Sequence, residues 1–340
     1  MASVAPVIPS VMQAAFNSAA GKVEVGQQPV PAITDDQVLV KVHATSLNPV
    51  DWKIRDYNFL KMAFPFIMGY DVSGEVVALG KNVQEYKIGD LVYGSPALNQ
   101  NGANAQYVAL HPDTIAPKPA KLTHVQAASI PVAGCSSYEG VVLEAKLSKG
   151  ETIYIPGGAG GVGHLAVQFA KAQGARVISS ASRESSLALL KQLGADVVFD
   201  YTKQNPVDAV KAATNGQGAD VVYDCTYPKE WVTSVKTLKK GGRLAYLGIG
   251  AGPPAEGEAA ELIKANNISV FLADLGRYSL ANRAQARDRV HGMLVAMGKL
   301  ADAGALKPHV DKVFKLHEIP EALEQLKKNA FVGKVVVSLE

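Results

Sequence analysis

Cysteine is almost absent from this chain, which has only Cys135 and Cys225 among its 340 residues. The two stand far apart in sequence, and neither has a histidine close by, so no disulfide framework is expected. A structural zinc site needs about four good ligands, which two cysteines cannot supply. Buried free thiols in a reducing compartment are the simpler interpretation, and we therefore expect a cytoplasmic protein.

Long apolar runs and a large excess of one charge are absent as well. No run of 18 or more apolar residues is free of charged side chains, so we expect no transmembrane helix and no membrane insertion. The first 13 residues contain no basic residue, which is unlike a signal or transit peptide. The 34 basic and 31 acidic side chains give a net charge of +3, and no basic stripe is interleaved with aromatics. Nucleic-acid binding is therefore not expected.

The pattern of strands and helices predicts two domains, because 340 residues are many for a single hydrophobic core. Residues 1–127 contain short strands with turn residues between them, which predicts a small barrel or sandwich. In residues 128–272 strands alternate with helices, as in the doubly wound parallel sheet of an α/β protein. From residue 273 the alternation stops, and we predict that 273–340 returns to complete the first domain. The parallel-sheet domain is then an insertion.

A glycine-rich turn lies between a predicted strand at 152–155 and a predicted helix at 164–172. Its glycines have the spacing GxGxxG, in which the first permits the turn, the second lets a pyrophosphate approach the backbone and the third brings helix and sheet together. The free N–H groups of the first helical turn then face the phosphates. A turn without a ligand is the alternative, at a large cost in backbone entropy. The predicted dinucleotide-binding residues are Gly158, Ala159, Gly160, Gly161, Val162 and Gly163.

The end of the second strand of the parallel sheet indicates which dinucleotide binds. Sheets that bind NAD usually carry an acidic residue there, about 20 residues past the glycines. Here residues 179–183 are Ser-Ser-Ala-Ser-Arg, and hydroxyls with a guanidinium suit the 2′-phosphate of NADPH. We therefore predict NADPH as the cofactor, bound by Ser180, Ser182 and Arg183. Ser182 is also expected to be a helix N-cap, and a solvated residue in the first helical turn is the alternative for Arg183.

Five segments of the chain resemble the medium-chain dehydrogenase/reductase superfamily. The coenzyme loop and its helix match at residues 157–171. The others are Gly-Tyr-Asp-Val-Ser-Gly-Glu-Val at 69–76, Gly-Ala-Asn-Ala-Gln-Tyr-Val at 102–108, Ala-Gly-Cys-Ser-Ser-Tyr at 133–138 and Gly-Lys-Val-Val-Val at 333–337. The resemblance covers nearly the whole chain, and it implies a GroES-like β-barrel domain with an inserted Rossmann domain.

Within that superfamily the chain is similar to the zinc-independent quinone oxidoreductase, or zeta-crystallin, branch and to enone and alkenal reductases. The decisive segment is Asn-Pro-Val-Asp-Trp-Lys at 48–53. Alcohol dehydrogenases of the superfamily have a catalytic cysteine near this point and a His-Glu pair at a second site. In this chain the first position falls within residues 48–51, which include no cysteine. The second position has Tyr70 and Asp71 instead of the His-Glu pair. The resemblance therefore implies that the protein binds no metal.

The resemblance also implies hydride transfer from NADPH to a quinone or to the β-carbon of an enone, with negative charge developing on the substrate oxygen. Asn48 is the first catalytic candidate, because its amide can donate to that oxygen or to the nicotinamide ribose; a turn residue before proline is the alternative. Lys53 can stabilise the oxyanion or donate a proton, unless it is a solvated helix lysine. Tyr57 can line the pocket or merely pack. The proton donor stays open between Lys53, Tyr57 and water.

Further coenzyme contacts are implied by the resemblance alone. Ser136 stands where the family has a threonine near the coenzyme, and it keeps the hydroxyl. Tyr201 follows the third strand of the sheet and is expected to approach the adenosine. Gly248 and Ile249 follow a later strand and are expected beside the nicotinamide ribose, unless they form a plain strand end. Lys334 lies in the last family segment and completes the predicted coenzyme set.

Several alternatives stay open from the sequence. A quinone and an enone are both flat conjugated carbonyls, so the small-molecule acceptor is not fixed. A non-catalytic role, as a crystallin-like or RNA-binding protein, is the main competitor, and a zinc-free alcohol dehydrogenase is another. The resemblance also implies a homodimer, or a dimer of dimers, in which the edge strand at 268–272 pairs with its mate.

Overall fold

A computed structural model describes the protein at residues 7–226, 231–248, 252–273 and 287–340. The strands are β1 (Val11–Ala19), β2 (Lys22–Pro29), β3 (Val38–Leu47), β4 (Phe66–Ile67), β5 (Val72–Leu79), β6 (Leu91–Gly94), β7 (Tyr107–Leu110), β8 (Ile115–Pro117), β9 (Thr152–Pro156), β10 (Arg176–Ala181), β11 (Val197–Asp200), β12 (Ala219–Asp224), β13 (Leu238–Leu247), β14 (Ser269–Ala273), β15 (Val310–Lys315) and β16 (Lys334–Ser338). The α-helices are α1 (Pro49–Tyr57), α2 (His124–Ala128), α3 (Pro131–Tyr138), α4 (Gly163–Ala172), α5 (Glu184–Gln192), α6 (Pro206–Ala213), α7 (Trp231–Lys236), α8 (Glu258–Ala265), α9 (Gly292–Asp302) and α10 (Ile319–Lys327). Segments Glu139–Glu144 and Arg287–His291 are π-helical, and Pro112–Thr114 and Leu316–Glu318 are 3₁₀ turns.

The chain divides into two units, one of Met1–Val132 with Tyr278–Glu340 and one of Ala133–Arg277. The boundaries predicted from the sequence, after residues 127 and 272, each precede those of the structure by five residues. Among the described residues, no helix is long and apolar enough to cross a bilayer.

The first unit is built from two β-sheets. One has the strand order β2-β1-β4, and the other has the order β15-β16-β3-β5-β6-β8 with β7 paired to β3. Valines alternate along β3, and Val38, Val40 and Val42 are buried while Lys41 is exposed. Leu39 between the valines is also buried, so β3 is covered on both faces along most of its length. Strand β16 pairs antiparallel with β3, so the end of the chain completes this unit.

The second unit contains a six-stranded parallel sheet with the order β11-β10-β9-β12-β13-β14. The order reverses between β9 and β12, and ligands of such sheets bind beyond the carboxyl ends of the strands at this point. Tyr154, Ile178, Val222 and Leu244 from four neighbouring strands share one hydrophobic core. The predicted doubly wound α/β sheet is therefore confirmed.

One predicted boundary in this sheet is wrong. The sequence predicts a helix over 231–238 and a strand over 244–247, whereas α7 ends at Lys236 and β13 already begins at Leu238. The early part of β13 is irregular, because Ala219 pairs with Leu238 but Val221 pairs with Arg243. The two glycines at 241–242 lie within this irregularity, inside β13.

Candidate functional site

The glycine-rich turn lies between the end of β9 at Pro156 and the start of α4 at Gly163. Two of its glycines are required by the packing of the protein itself. A Cβ on Gly158 would collide with the Ser179 hydroxyl of β10, and a Cβ on Gly163 would lie 2.6 Å from the Gly158 Cα. These are the roles of the first and third glycines of the motif, which hold the turn and helix close to the sheet.

Gly160 is different, because the packing of the protein does not require glycine there. A Cβ on Gly160 would meet only the Gly157 carbonyl oxygen, at 3.4 Å, and the φ of Gly160 lies outside the left-handed region. The backbone is therefore open on the side where a pyrophosphate approaches in this motif. This open backbone fits the diphosphate of a dinucleotide, whereas the N–H groups of His164, Leu165 and Ala166 in α4 already donate to backbone carbonyls.

Three predicted coenzyme residues come together at the ends of β10 and β11. The Tyr201 hydroxyl donates to the Ser182 hydroxyl at 3.2 Å, and Arg183 follows directly. All three are exposed. Arg183 occupies the N-cap position of α5 with an extended backbone and no side-chain cap, so the expectation that Ser182 is the N-cap is wrong by one residue. Both hydroxyls and the guanidinium are thus exposed at one edge of the sheet.

Ser180 does not join this group. Its side chain is 1% exposed, and its hydroxyl lies 2.9 Å from the Tyr154 hydroxyl in the core of the sheet. Because this hydroxyl is buried and bonded to Tyr154, it is not presented at the exposed edge of the sheet where Ser182 and Tyr201 lie. The predicted coenzyme contact of the Ser180 side chain is therefore not supported.

Ser136 and its neighbour Ser137 lie on α3, and both are buried. The Tyr223 hydroxyl donates to the Ser136 carbonyl at 2.9 Å. The Ser137 hydroxyl lies 2.8 Å from the Val162 carbonyl, which connects α3 to the glycine-rich turn. Ser137 is not among the predicted site residues. Its place in the family segment at 133–138 is the feature of the sequence that points to a role near the coenzyme loop.

Gly248 follows β13 directly, and Ile249 lies outside the described residues. A Cβ on Gly248 would lie 3.1 Å from the Leu272 Cδ1 and 3.3 Å from the Tyr246 Cε2. Close packing against Leu272 and Tyr246 therefore favours glycine at this position. A role beside the nicotinamide ribose stays a prediction.

The first unit contains a buried polar group that we call the Asn48 cluster, made of Ser46, Asn48, Asp51, Asp71 and Lys334. Strand β3 ends at residue 47 and α1 begins at residue 49, so Asn48 is the N-cap of α1. Asp71 immediately precedes β5, and Lys334 is the first residue of β16. Because β3 lies between β5 and β16 in the sheet, these side chains meet at one end of it.

Hydrogen bonds and an ion pair connect the members of the Asn48 cluster. The Asn48 Nδ2 donates to the Asp71 Oδ2 at 2.6 Å, and the Lys334 Nζ donates to the Asn48 Oδ1 at 2.6 Å. Lys334 also lies 3.3 Å from the Asp71 Oδ2, and the Ser46 hydroxyl donates to the same oxygen. Asn48 is 4% exposed, Asp71 0% and Lys334 3%. Lys334 was predicted to contact the coenzyme, but the structure places its ammonium inside this cluster.

Asp51 is a buried acid of the cluster, and its pKa is strongly raised. Its Oδ2 accepts from the Asn48 backbone N–H at 2.7 Å, and its Oδ1 has no partner among the described residues. Burial, together with the nearby charge of Asp71, raises the pKa of Asp51 to about 7 against the backbone hydrogen bonds from Asn48 and Gly69. The carboxyl group is thus close to half-ionised at neutral pH.

The other catalytic candidates lie along α1. Lys53 is half-buried, with its Nζ 5.8 Å from the centre of the Trp52 ring, and burial lowers the pKa of its ammonium. A lowered pKa makes a lysine a better proton donor near neutral pH. Tyr57 is 70% exposed at the last residue of α1. The structure therefore favours Lys53 over Tyr57 as an acid.

A doubly wound sheet with an open glycine-rich turn, joined to a β-rich unit with a buried polar cluster, defines the class of two-domain nicotinamide-dependent oxidoreductases. Residues 34–120 match the alcohol dehydrogenase GroES-like domain, and residues 161–291 match the zinc-binding dehydrogenase domain. The chain belongs to the medium-chain dehydrogenase/reductase superfamily, in its quinone and enone oxidoreductase group. The predicted GroES-like and Rossmann architecture is confirmed.

Individual relatives agree with this placement. The chain is 34% identical to the 2-methylene-furan-3-one reductase of Solanum lycopersicum, over 97% of this chain and 80% of that protein. It is 33% identical to the chloroplastic NADPH-dependent alkenal/one oxidoreductase of Arabidopsis thaliana, over 91% of this chain and 73% of that protein. The quinone oxidoreductase structure from Coxiella burnetii superposes with a TM-score of 0.82 at 31% identity, covering 97% of this chain and all of that one.

The zinc-binding name of one matching domain raises the question whether this chain can hold zinc. Within the part of the chain that the structure describes, no group of three or more His, Cys, Asp or Glu side chains is placed to hold a metal ion. The buried cation of the Asn48 cluster is the Lys334 ammonium, which bridges Asn48 and Asp71. Since a catalytic zinc takes three protein ligands, the donor set does not fit one.

Proposed function

We propose that this oxidoreductase reduces a quinone or an α,β-unsaturated carbonyl with NADPH and without a metal ion. The observation that carries the proposal is a coenzyme turn open at Gly160 in a chain whose described residues offer no metal-binding group. Without a Lewis acid to polarise an alcohol, the favoured substrates are acceptors that are already electrophilic. The relatives named as alkenal, furanone and quinone oxidoreductases support the same substrate class.

The preference for NADPH rests on the ends of β10 and β11. Ser182, Arg183 and Tyr201 offer hydroxyls and a guanidinium, which suit a 2′-phosphate. The acid at the end of β11, Asp200, accepts from the Thr202 hydroxyl at 2.6 Å and lies 3.2 Å from the Lys203 ammonium. Its charge is therefore compensated and repels a phosphate less than a bare carboxylate.

The residues divide the work of the reaction between them. NADPH supplies the hydride when it is bound. The glycine-rich turn binds the diphosphate through backbone N–H groups, and Asn48 donates a hydrogen bond to the acceptor oxygen on which negative charge develops. Lys53, whose pKa is lowered by burial, or water then delivers the proton that completes a two-electron reduction.

Steady-state oxidation of NADPH and NADH with ortho- and para-quinones and 2-alkenals tests the proposal. We expect turnover with at least one class of conjugated acceptor, a clear preference for NADPH, and no loss of activity on dialysis against a zinc chelator. Reduction of NADP by simple alcohols instead would favour the zinc-free alcohol dehydrogenase. Coenzyme binding without turnover of any acceptor would favour a non-catalytic role.

A further inference from the structure

The Asn48 side-chain amide is held between two opposite charges. Its Oδ1 accepts from the Lys334 ammonium and its Nδ2 donates to the Asp71 carboxylate, both at 2.6 Å. Turning the amide over would place the NH2 group against the ammonium and the oxygen against the carboxylate. Because hydrogen bonds to ionised groups are roughly twice as strong as neutral ones, both contacts select the same orientation.

The Lys334 ammonium has no hydrogen left for a coenzyme phosphate. An ammonium carries three donors. Within the cluster its Nζ lies 2.6 Å from the Asn48 Oδ1, 3.2 Å from the Leu47 carbonyl oxygen and 3.3 Å from the Asp71 Oδ2. Three donors thus face three acceptors, and the side chain is 3% exposed. The Lys334 ammonium therefore positions its neighbours in the cluster and does not bind a ligand.

The Asp71 carboxylate is similarly occupied on both oxygens. Its Oδ2 accepts from Ser46, Asn48 and Lys334, and its Oδ1 accepts from the Val132 backbone N–H at 2.7 Å. Four donors thus surround the carboxylate of this wholly buried residue. The negative charge that fixes the Asn48 amide is therefore itself fixed from several elements.

We propose that Lys334 and Asp71 are positioning residues that hold the Asn48 amide so that it offers an N–H, and not its oxygen, to the acceptor. The second hydrogen of the Asn48 Nδ2 has no partner among the described residues. It is the group that meets a developing oxyanion, which restricts Asn48 to substrates that present an acceptor oxygen. This inference rests on the proposed function, since it assigns the orientation of the same catalytic amide.

The first test replaces both charges by groups of similar shape, in the double variant Lys334→Met with Asp71→Asn. Removing both charges avoids leaving one of them buried and unpaired, so the fold is retained. We expect kcat with a quinone to fall roughly a hundredfold, because the amide is no longer fixed, while the Kd for NADPH stays within about twofold. Lys41→Met removes an exposed lysine of the neighbouring β3 and serves as the control, with unchanged kcat.

Chemical rescue separates positioning from general loss of structure. In Lys334→Ala, methylammonium or ethylammonium can occupy the space of the missing ammonium, and we expect kcat to rise with amine concentration. Tetramethylammonium and sodium chloride at equal ionic strength have no donor to offer and should not restore it. A double variant that keeps wild-type kcat, or one that weakens NADPH binding tenfold without changing kcat, would overturn the inference.

A spectroscopic readout keeps this inference separate from the proposed function. In protein labelled with 15N-asparagine, the Asn48 side-chain signal is identified by its loss in Asn48→Ser. We expect one of its two protons to be shifted downfield and slow to exchange, and this feature to vanish in the double variant. Wild-type protein that lacks it contradicts the inference, whatever acceptor the enzyme reduces; protein that shows it but reduces no conjugated acceptor contradicts only the proposed function.

Discussion

The backbone N–H of Asn48 donates to the Asp51 carboxylate at 2.7 Å, so the N-cap residue of α1 is held by an acid in the first turn of that helix. This is the returning half of a capping box. The same acid is wholly buried, and its second oxygen has no partner among the residues described. The local order of the catalytic segment therefore depends on a group whose protonation changes near neutral pH.

The pH dependence of stability should carry the signature of Asp51. Its pKa is raised from 3.8 to about 7 on folding, so the folded protein binds this proton more tightly than the unfolded chain, and stability falls as pH rises from about 4 to 7. The loss is at most about 4 kcal/mol. We expect the Tm difference between pH 5 and pH 8 to be smaller in Asp51→Asn than in wild type. Equal Tm differences in the two proteins would contradict the burial of an ionisable acid here.

Alanine substitutions in the glycine-rich turn should separate ligand contact from packing. Gly160→Ala is expected to leave the Tm within about 2 °C, because its Cβ has room, but to weaken NADPH binding more than tenfold by blocking the diphosphate. Gly163→Ala is the matched change, and its Cβ would lie 2.6 Å from the Gly158 Cα, so we expect a clear loss of Tm. Thermal unfolding and fluorescence titration with NADPH measure the two effects. Equal NADPH affinity in Gly160→Ala would rule out the proposed approach of the pyrophosphate.

Arg183 should account for much of the discrimination between NADPH and NADH. Arg183→Ala is expected to lower kcat/KM for NADPH roughly tenfold and to leave that for NADH nearly unchanged, because the guanidinium meets only the 2′-phosphate. Lys191→Ala removes a positive charge from the last turn of the same helix and is the control. An unchanged preference for NADPH in Arg183→Ala would refute this role.

The two acid candidates on α1 should behave differently. We expect Lys53→Met to lower kcat about tenfold or more and to remove the alkaline limb of the pH profile, since this half-buried lysine has a lowered pKa. Tyr57→Phe should leave kcat within about twofold, because Tyr57 is 70% exposed. A full-activity Lys53→Met enzyme would assign the proton to water.

The assembly state follows from the outer strand of the parallel sheet. Strand β14 is at one end of the strand order, and its outer edge has no strand partner among the described residues, so it can pair with a second copy. We expect light scattering to give twice the mass of one chain. In hydrogen–deuterium exchange, the amides of 269–273 should be protected at high concentration and exchange faster on dilution. A monomer at micromolar concentration would contradict the dimer.

Features encoded locally could be predicted from the sequence. The glycine spacing and the alternation of strands and helices come from contacts between neighbours in the chain, and both appear in the structure, although the strand predicted over 244–247 begins at Leu238. The error at Ser182 is one residue, which is the usual uncertainty of a helix end. The direction of the Ser180 side chain was not predicted, because it depends on which face of β10 meets Tyr154.

Features that depend on distant residues could not be predicted. Lys334 and Asp71 are 263 residues apart in sequence, and only the pairing of β16 with β3 brings the ammonium to Asn48. A lysine at the start of a strand is normally exposed to solvent, so the burial of Lys334 could not be predicted from its residue type. Asp71 stood in a family segment, but its role as the acceptor of four hydrogen bonds emerged only from the three-dimensional arrangement.

The antiparallel pairing of β16 with β3 has a consequence for synthesis on the ribosome. Val336 lies opposite Ser46, 290 residues earlier in the chain, so β3 is synthesised long before its partner strand. The parallel sheet between them consists of a continuous stretch and can fold while the chain is still emerging. The sheet around β3 keeps an unfilled edge until β16 has left the exit tunnel. The parallel-sheet unit can therefore fold first, while the β-rich unit, whose early strands are translated before it, stays incomplete for longer.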